Sequence, residues 1–252
     1  MYKIGITEAG DAGIDLSWVK KLDTVDGAVV ITKDINNAFI EAVLQNRNKL
    51  IVHATCTGYG GTVLEPNVPT PQNQIAAAIR LVEGGFPKER MVIRVDPIIP
   101  TEKGLDKALD VIEKSMDAGF NRYRISVLDM YPHVRERFRE ANLPLPYGER
   151  FSASREQMAD VDGMLIEAVT YWTERGRPSS DIHIESCAEP SLKIPTAIGC
   201  ISFYDLKLLG LSDPDYMISG RQRTHCMCYA GKTELLRCKH PCAHKCLYCY
   251  WK

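Results

Sequence analysis

Short apolar runs alternate with longer stretches of helical period along the first 210 residues. Residues 2–6, 28–31, 50–55, 91–96, 123–128 and 181–185 have strand length and composition. Between them, Ile35, Phe39, Val43 and Leu44, and later Leu105, Leu109, Ile112 and Met116, recur at spacings of three and four, the signature of one buried helix stripe. Punctuation agrees with the period. Thr70 followed by Pro71 predicts a helix start and Gly84-Gly85 its stop, while Ser154 with Gln157 reads as a capping box that opens a helix to about residue 175. Further helices are expected near 16–22, 34–46 and 203–209, and a short strand at 232–237. The stretch 129–152, rich in charge and proline, is longer than a connector needs to be and is expected to cover a site.

The strands are chemically lopsided. Side chains alternate faces, and one face carries His53 and Thr55, then Arg94 and Asp96, then Arg124 and Ser126, then His183, Glu185 and Cys187, while Val and Ile hold the other. A parallel sheet covered on both sides would be apolar on both, so the pattern predicts a curled sheet with helices outside and a polar, ligand-filled hollow. A filled eight-stranded barrel would have branched aliphatic residues inside instead. The expected fold is therefore α/β: a partial or permuted TIM-like (β/α) barrel of about six to seven parallel strands. Residues 1–220 form its body and 221–252 a cysteine-rich segment that completes the same domain. Thr7, Thr32, Lys33, Thr55, Asp96, Ser126 and Glu185 fall at strand ends and should ring the mouth.

At 252 residues, 45% hydrophobic and 25% charged, the chain can bury a full core, which makes a disulfide framework unnecessary. No apolar run approaches the length of a membrane span and the N-terminus lacks an export signal, so a cytoplasmic protein with no membrane partner is expected. Six of the nine cysteines fall between 226 and 249, a metal-binding distribution in a reducing compartment. Arg221, Arg223, Lys232, Arg237, Lys239, Lys245 and Lys252 accompany them against only Glu234. That basic tail either balances thiolate charge or attracts a polyanion such as DNA. The glycines at 58, 60 and 61 either let backbone approach a ligand or make a plain loop.

The last residues read CAHKCLYCYWK, with Cys242, Cys246 and Cys249 at C-x3-C-x2-C. One short loop of this spacing can hold three irons of a cubane cluster and leave the fourth open, whereas electron carriers close all four corners. Three thiolates with His240 or His244 would equally make a tetrahedral zinc site.

VITKDI at 30–35, T-x-T-G-Y-G at 55–60, LEPNVP at 64–69, R-x-D-P at 94–97, SVLDMY at 126–131, ESCAEP at 185–190, Gln222-Arg223 with Cys226-x-Cys228, and the terminal loop together resemble a family of bacterial and phage proteins labelled as a domain of unknown function. That family is similar to spore photoproduct lyase and other radical S-adenosylmethionine (SAM) enzymes, with the cysteine loop at the chain end instead of after the first strand. The resemblance implies a [4Fe-4S] cluster on Cys242, Cys246 and Cys249 that reductively cleaves SAM to a 5′-deoxyadenosyl radical, which abstracts hydrogen from substrate. Tyr248 would lie near adenine. Lys33, Arg94 and Arg124 would meet the SAM carboxylate or a substrate anion, and Thr55, Asp96, Ser126 and Glu185 the ribose and amino groups. Flavodoxin or ferredoxin would donate the electron, and a nucleobase in DNA or a nucleotide is the first substrate expectation, with an amino acid or peptide next. Cys187, Cys200, Cys226 and Cys228 are candidates for an auxiliary iron-sulfur cluster or zinc; Cys187 and Cys200 also suit plain burial. Cys56 and Cys238 have no assignment. A circular permutation would set the 232–237 strand beside an N-terminal one, returning the loop to the mouth. The alternatives are a zinc-stabilised nucleic-acid-binding module and a non-catalytic iron-sulfur protein.

Overall fold

The computed structural model describes residues 1–212, 216–219, 226–236 and 242–251. Eight parallel strands form one curled half-barrel sheet: β1 (Ile4–Ile6), β2 (Gly27–Thr32), β3 (Leu50–Thr55), β4 (Met91–Ile98), β5 (Arg122–Val127), β6 (His183–Cys187), β7 (Thr196–Ile198) and β8 (Lys232–Glu234). The order is β7-β6-β5-β4-β3-β2-β1-β8, so the last strand lies beside the first. That adjacency is the one a permuted barrel requires. The strand count exceeds the expected six to seven because β7, three residues within PTAIG, is too short to leave a hydrophobic period. Of the stretch expected as strand at 232–237, only the first three residues pair, and residue 237 lies outside the described residues.

The helices start where their caps require. In α1 (Asn37–Gln45) the Asn36 side chain accepts from the Phe39 amide, and Thr70 and Thr101 do the same for α2 (Pro71–Glu83) and α3 (Glu102–Asp117). The stretch 129–152 contains α4 (Pro132–Glu140), a short helix with only Val134 and Phe138 buried and hence little apolar period to read. The capping box of Ser154 and Gln157 opens α5 (Arg155–Glu174). A second box, Ser202 with Asp205, opens α6 (Phe203–Leu208). Outward-facing Val30, Val52, Ile93 and Ile125 pack with Phe39, Ala78, Ile112 and Leu165 into the main core.

The concave face is less open than the polar alternation implied. Ile4, Ile6, Val29, Ile51 and Val92 form an apolar patch there together with Leu206 of α6. Strand register then sets Thr55, Arg94, Arg124 and Glu185 in one row across β3 to β6. Part of this row is consumed internally. Arg122 donates to Asp205 at 2.6 Å, and Arg124 donates to Glu185 at 2.6 Å and to the Gly199 carbonyl at 2.5 Å. Arg124 also lies 3.5 Å from Asp205, so α6 is locked onto the concave face by ions. Burial opposes the Asp205 charge, but Arg122 and Arg124 more than offset it and hold the carboxyl below its ordinary range.

Removing one member of such a buried network leaves the others uncompensated, so Asp205→Ala should cost about 3–5 kcal/mol in denaturant unfolding. Because the folded carboxyl sits below its unfolded value of about 4, the Asp205 contribution is full above that pH and fades as pH falls further. The variant's deficit should therefore shrink in acid. An unfolding midpoint equal to that of the wild type at neutral pH would contradict the assignment.

Candidate functional site

The C-terminal ends of the strands form a mouth, and the terminal cysteine loop lies across it. β8 determines this. The Ile4 amide donates to Gly231 O at 2.9 Å and the Leu235 amide to Ile6 O at 2.7 Å, so the chain leaves the sheet beside β1 and on the mouth side. Glu234 accepts from the amides of Glu8 and Ala9, both at 3.0 Å, which fixes the rim next to it.

Two loops then grip residues 242–251. From the Gly-rich side, the Asn67 side chain donates to Ala243 O at 2.7 Å and the Leu247 amide donates to Leu64 O at 3.0 Å. From α4, Arg137 donates to Cys249 O at 2.7 Å and Trp251 O at 2.8 Å, and His133 donates to Tyr250 O at 2.9 Å. Beneath the loop, Leu64, Met130, Val134, Phe138 and Tyr248 form a small separate core against which Cys246 and Leu247 pack. The long excursion thus fastens the terminal loop. The glycines of 58–61 serve chain packing: a Cβ on Gly60 would lie 1.9 Å from Pro69 O.

Tyr248 points inward and is buried. Its hydroxyl donates to Glu65 and accepts from Lys33 Nζ at 2.9 Å, while Lys33 also pairs with Glu65 at 2.7 Å. Burial works against the Lys33 charge, but Glu65 and then Cys246 raise its pKa. Burial pushes the Cys246 thiol up to about 12, with Lys33 opposing it. Cys242, Cys246 and Cys249 are near enough to influence one another's charge, Cys242 being exposed and the other two half-buried. No three described His, Cys, Asp or Glu side chains close round one point as a bound ion would hold them.

His244 is engaged on both sides of its ring. Its Nε2 faces Asp11 Oδ2 at 3.0 Å and its Nδ1 faces the Asn67 carbonyl at 3.2 Å. Both partners are acceptors, so both ring nitrogens donate and neither has a lone pair to offer a metal. Burial disfavours the charged ring, but Asp11 outweighs it and raises the pKa. His240 and Cys238 lie outside the described residues.

The other expected residues divide. Arg94 and Asp96 pair with each other, Nε to Oδ2 at 2.8 Å, on the concave face. Thr55 is buried there, and Ser126 Oγ donates to Glu189 at 3.4 Å. Arg124 and Glu185 belong to the network with Asp205. His53 is fully buried with both ring nitrogens lacking a partner, and Arg94 Nη1 is likewise orphaned. Burial and then Arg124 hold His53 neutral. A buried polar atom without a partner calls for water, an ion, a ligand or a catalytic role to account for it, and the Nε atoms of Arg122 and Arg124 share that state. Glu65, Asp11 and Glu189 were not expected at the site. Glu65 and Glu189 stand inside LEPNVP and ESCAEP, so those motifs carried the signal; Asp11 had none beyond its place after β1. Of the basic tail, Lys232 is partly buried against Glu8 and Lys245 is exposed, while Arg221, Arg223, Arg237, Lys239 and Lys252, like Gln222, lie outside the described residues. No described helix is long and apolar enough to cross a membrane.

The fold and site together define a half-barrel α/β protein with a cysteine loop fastened over a polar concave face. The chain belongs to the family described as Domain of unknown function (DUF1848), whose model matches residues 16–251. No curated protein matches it.

Arg137 ties three loop carbonyls to α4, counting Leu247 O at 3.4 Å. Arg137→Ala should therefore raise hydrogen exchange at Leu247 and Cys249 while costing global stability only about 1.5–3 kcal/mol. Unchanged exchange across 242–251 would contradict this anchoring.

Proposed function

We propose that this protein is a radical SAM enzyme, with Cys242, Cys246 and Cys249 as the ligands of a [4Fe-4S] cluster whose fourth iron is left for SAM. The observation that carries the reading is the donor set: three thiols beside the mouth, and a neighbouring His244 whose two nitrogens already donate to Asp11 and Asn67. A zinc site closed by His244 would need that ring, while His240 lies outside the described residues. When bound and reduced, the cluster supplies the electron that splits the sulfonium bond of SAM into methionine and a 5′-deoxyadenosyl radical.

The protein's own residues position and protect. Lys33, held by Glu65 and Tyr248, keeps positive charge beside Cys246, where it offsets thiolate charge. Arg94 retains one orphaned donor for a carboxylate, and neutral His53 can donate or accept toward a ribose or substrate. Thr55, Asp96 and Ser126 stand on the same face of β3, β4 and β5. Arg124 and Glu185 hold the floor and act through it. The packed core beneath the loop excludes water from its inner side. An outside reductant such as flavodoxin or ferredoxin completes the reaction. The substrate class stays with a nucleobase or nucleotide as the first compound set to screen.

Anaerobic reconstitution with iron and sulfide should give a brown protein that releases 5′-deoxyadenosine when dithionite and SAM are added, and Cys246→Ser should abolish both colour and product. Arg94→Ala should keep the cluster and weaken SAM binding. A colourless zinc protein, or a cluster that leaves SAM intact, would overturn the proposal.

A further inference from the structure

Four cysteines away from the terminal loop meet on the concave side where the two edges of the sheet come together. Cys187 ends β6, Cys200 follows β7, and Cys226 and Cys228 precede β8. β7 and β8 are the two edge strands, so these thiols come from opposite ends of the sheet. Their sulfurs run as a chain. Cys187 and Cys200 are 3.6 Å apart, Cys200 interacts with Cys228, and Cys228 lies 2.7 Å from Cys226. The backbones are equally close: a Cβ on Gly199 would fall 2.4 Å from Met227 O and 2.7 Å from Cys228 Cα.

We infer that Cys187, Cys200, Cys226 and Cys228 form a tetrathiolate site for a single zinc ion that staples the open edges of the half-barrel. Zinc-sulfur bonds of about 2.3 Å put tetrahedral sulfurs about 3.8 Å apart. The 3.6 Å pair is near that value, and the 2.7 Å pair is closer than unbonded sulfurs sit yet longer than the roughly 2.05 Å of a disulfide. A cubane would hold each sulfur on a different iron and spread them beyond contact. The sulfurs form a chain and have not closed on a point, so binding an ion requires the side chains to rearrange. Cationic groups lie close to the sulfurs. Lys232 Nζ donates to Cys228 Sγ at 3.6 Å, and the charges of Arg94 and Arg124 both interact with Cys187 and Cys200. Each of these cations also has a carboxylate partner, Glu8, Asp96 or Glu185, so it is their N–H donors more than net charge that they bring toward the sulfurs. Cys187, Cys200 and Cys228 are buried, which suits a closed structural site.

This inference is independent of the terminal cluster, and the test separates them. The variant C242S/C246S/C249S, kept reduced, is titrated with Co2+ alone, whose d-d absorption in a tetrathiolate field is intense. The expected result is one saturable equivalent per chain, displaced by Zn2+, retained in a Cys56→Ser background and lost on adding Cys187→Ser or Cys226→Ser. Absence of saturable binding, or binding that survives those substitutions, overturns the site, as does preferential uptake of iron and sulfide by these thiols. Should the triple variant fail to fold, zinc content of the wild-type chain against C226S/C228S reads the same site: loss of one equivalent upholds it, and no change overturns it.

Discussion

The pairing of the last strand with the first is the constraint on which the arrangement of this protein depends. β8 is only Lys232–Glu234, but its register beside Ile4–Ile6 fixes the direction in which the chain leaves the sheet. A parallel strand at that edge must exit on the same side as every other strand, so the cysteine loop reaches the rim where the polar strand ends already are. Three residues of ladder would be a weak hold alone. The Glu234 contacts to the β1 exit, the Lys232–Glu8 pair and the grip of Arg137 and Asn67 on the loop supply the rest.

The concave face does two jobs at two depths. Toward the floor, Arg122, Arg124, Glu185 and Asp205 neutralise one another and lock α6 in place, a use of charge that is costly to desolvate but specific in geometry. Beside them, Arg94 in the same row and His53 one step deeper keep polar atoms without partners, as do the Nε atoms of Arg122 and Arg124, while nearer the mouth Lys33, Glu65 and Tyr248 make a buried polar contact directly against the cysteine loop. The ion network holds the floor, and the Lys33–Glu65–Tyr248 contact fixes the loop at the rim.

Much of this was legible in the chain, for identifiable reasons. Strand and helix alternation, the caps at Thr70 and Ser154, and the polar face of β3 to β6 follow from local periodicity, and the structure has them. The position of the 232–234 strand beside β1 was expected only on the supposition of a permuted barrel, since no local signal specifies a partner more than 200 residues away. What failed to show was of two kinds. β7 and α4 are too short or too polar to leave a period. The division of Arg94 from Arg124 was hidden because both occupy the same face one strand apart, and only the insertion of Asp205 from α6 assigns one to the floor. Three neighbouring cysteines make His244 a possible zinc ligand in the sequence; its partners Asp11 and Asn67 come from loops distant in the chain, so its engagement leaves no local signal.

The central claim is that the thiols over the mouth leave one coordination position open to a small cofactor. Electron paramagnetic resonance of the reconstituted, dithionite-reduced protein, recorded with and without SAM, tests it most directly. The account predicts a reduced cluster signal whose g-values shift when SAM is added, because the ligand field of one iron changes. A reduced cluster whose spectrum is the same in both samples would mean that all four corners are already filled, and would contradict it.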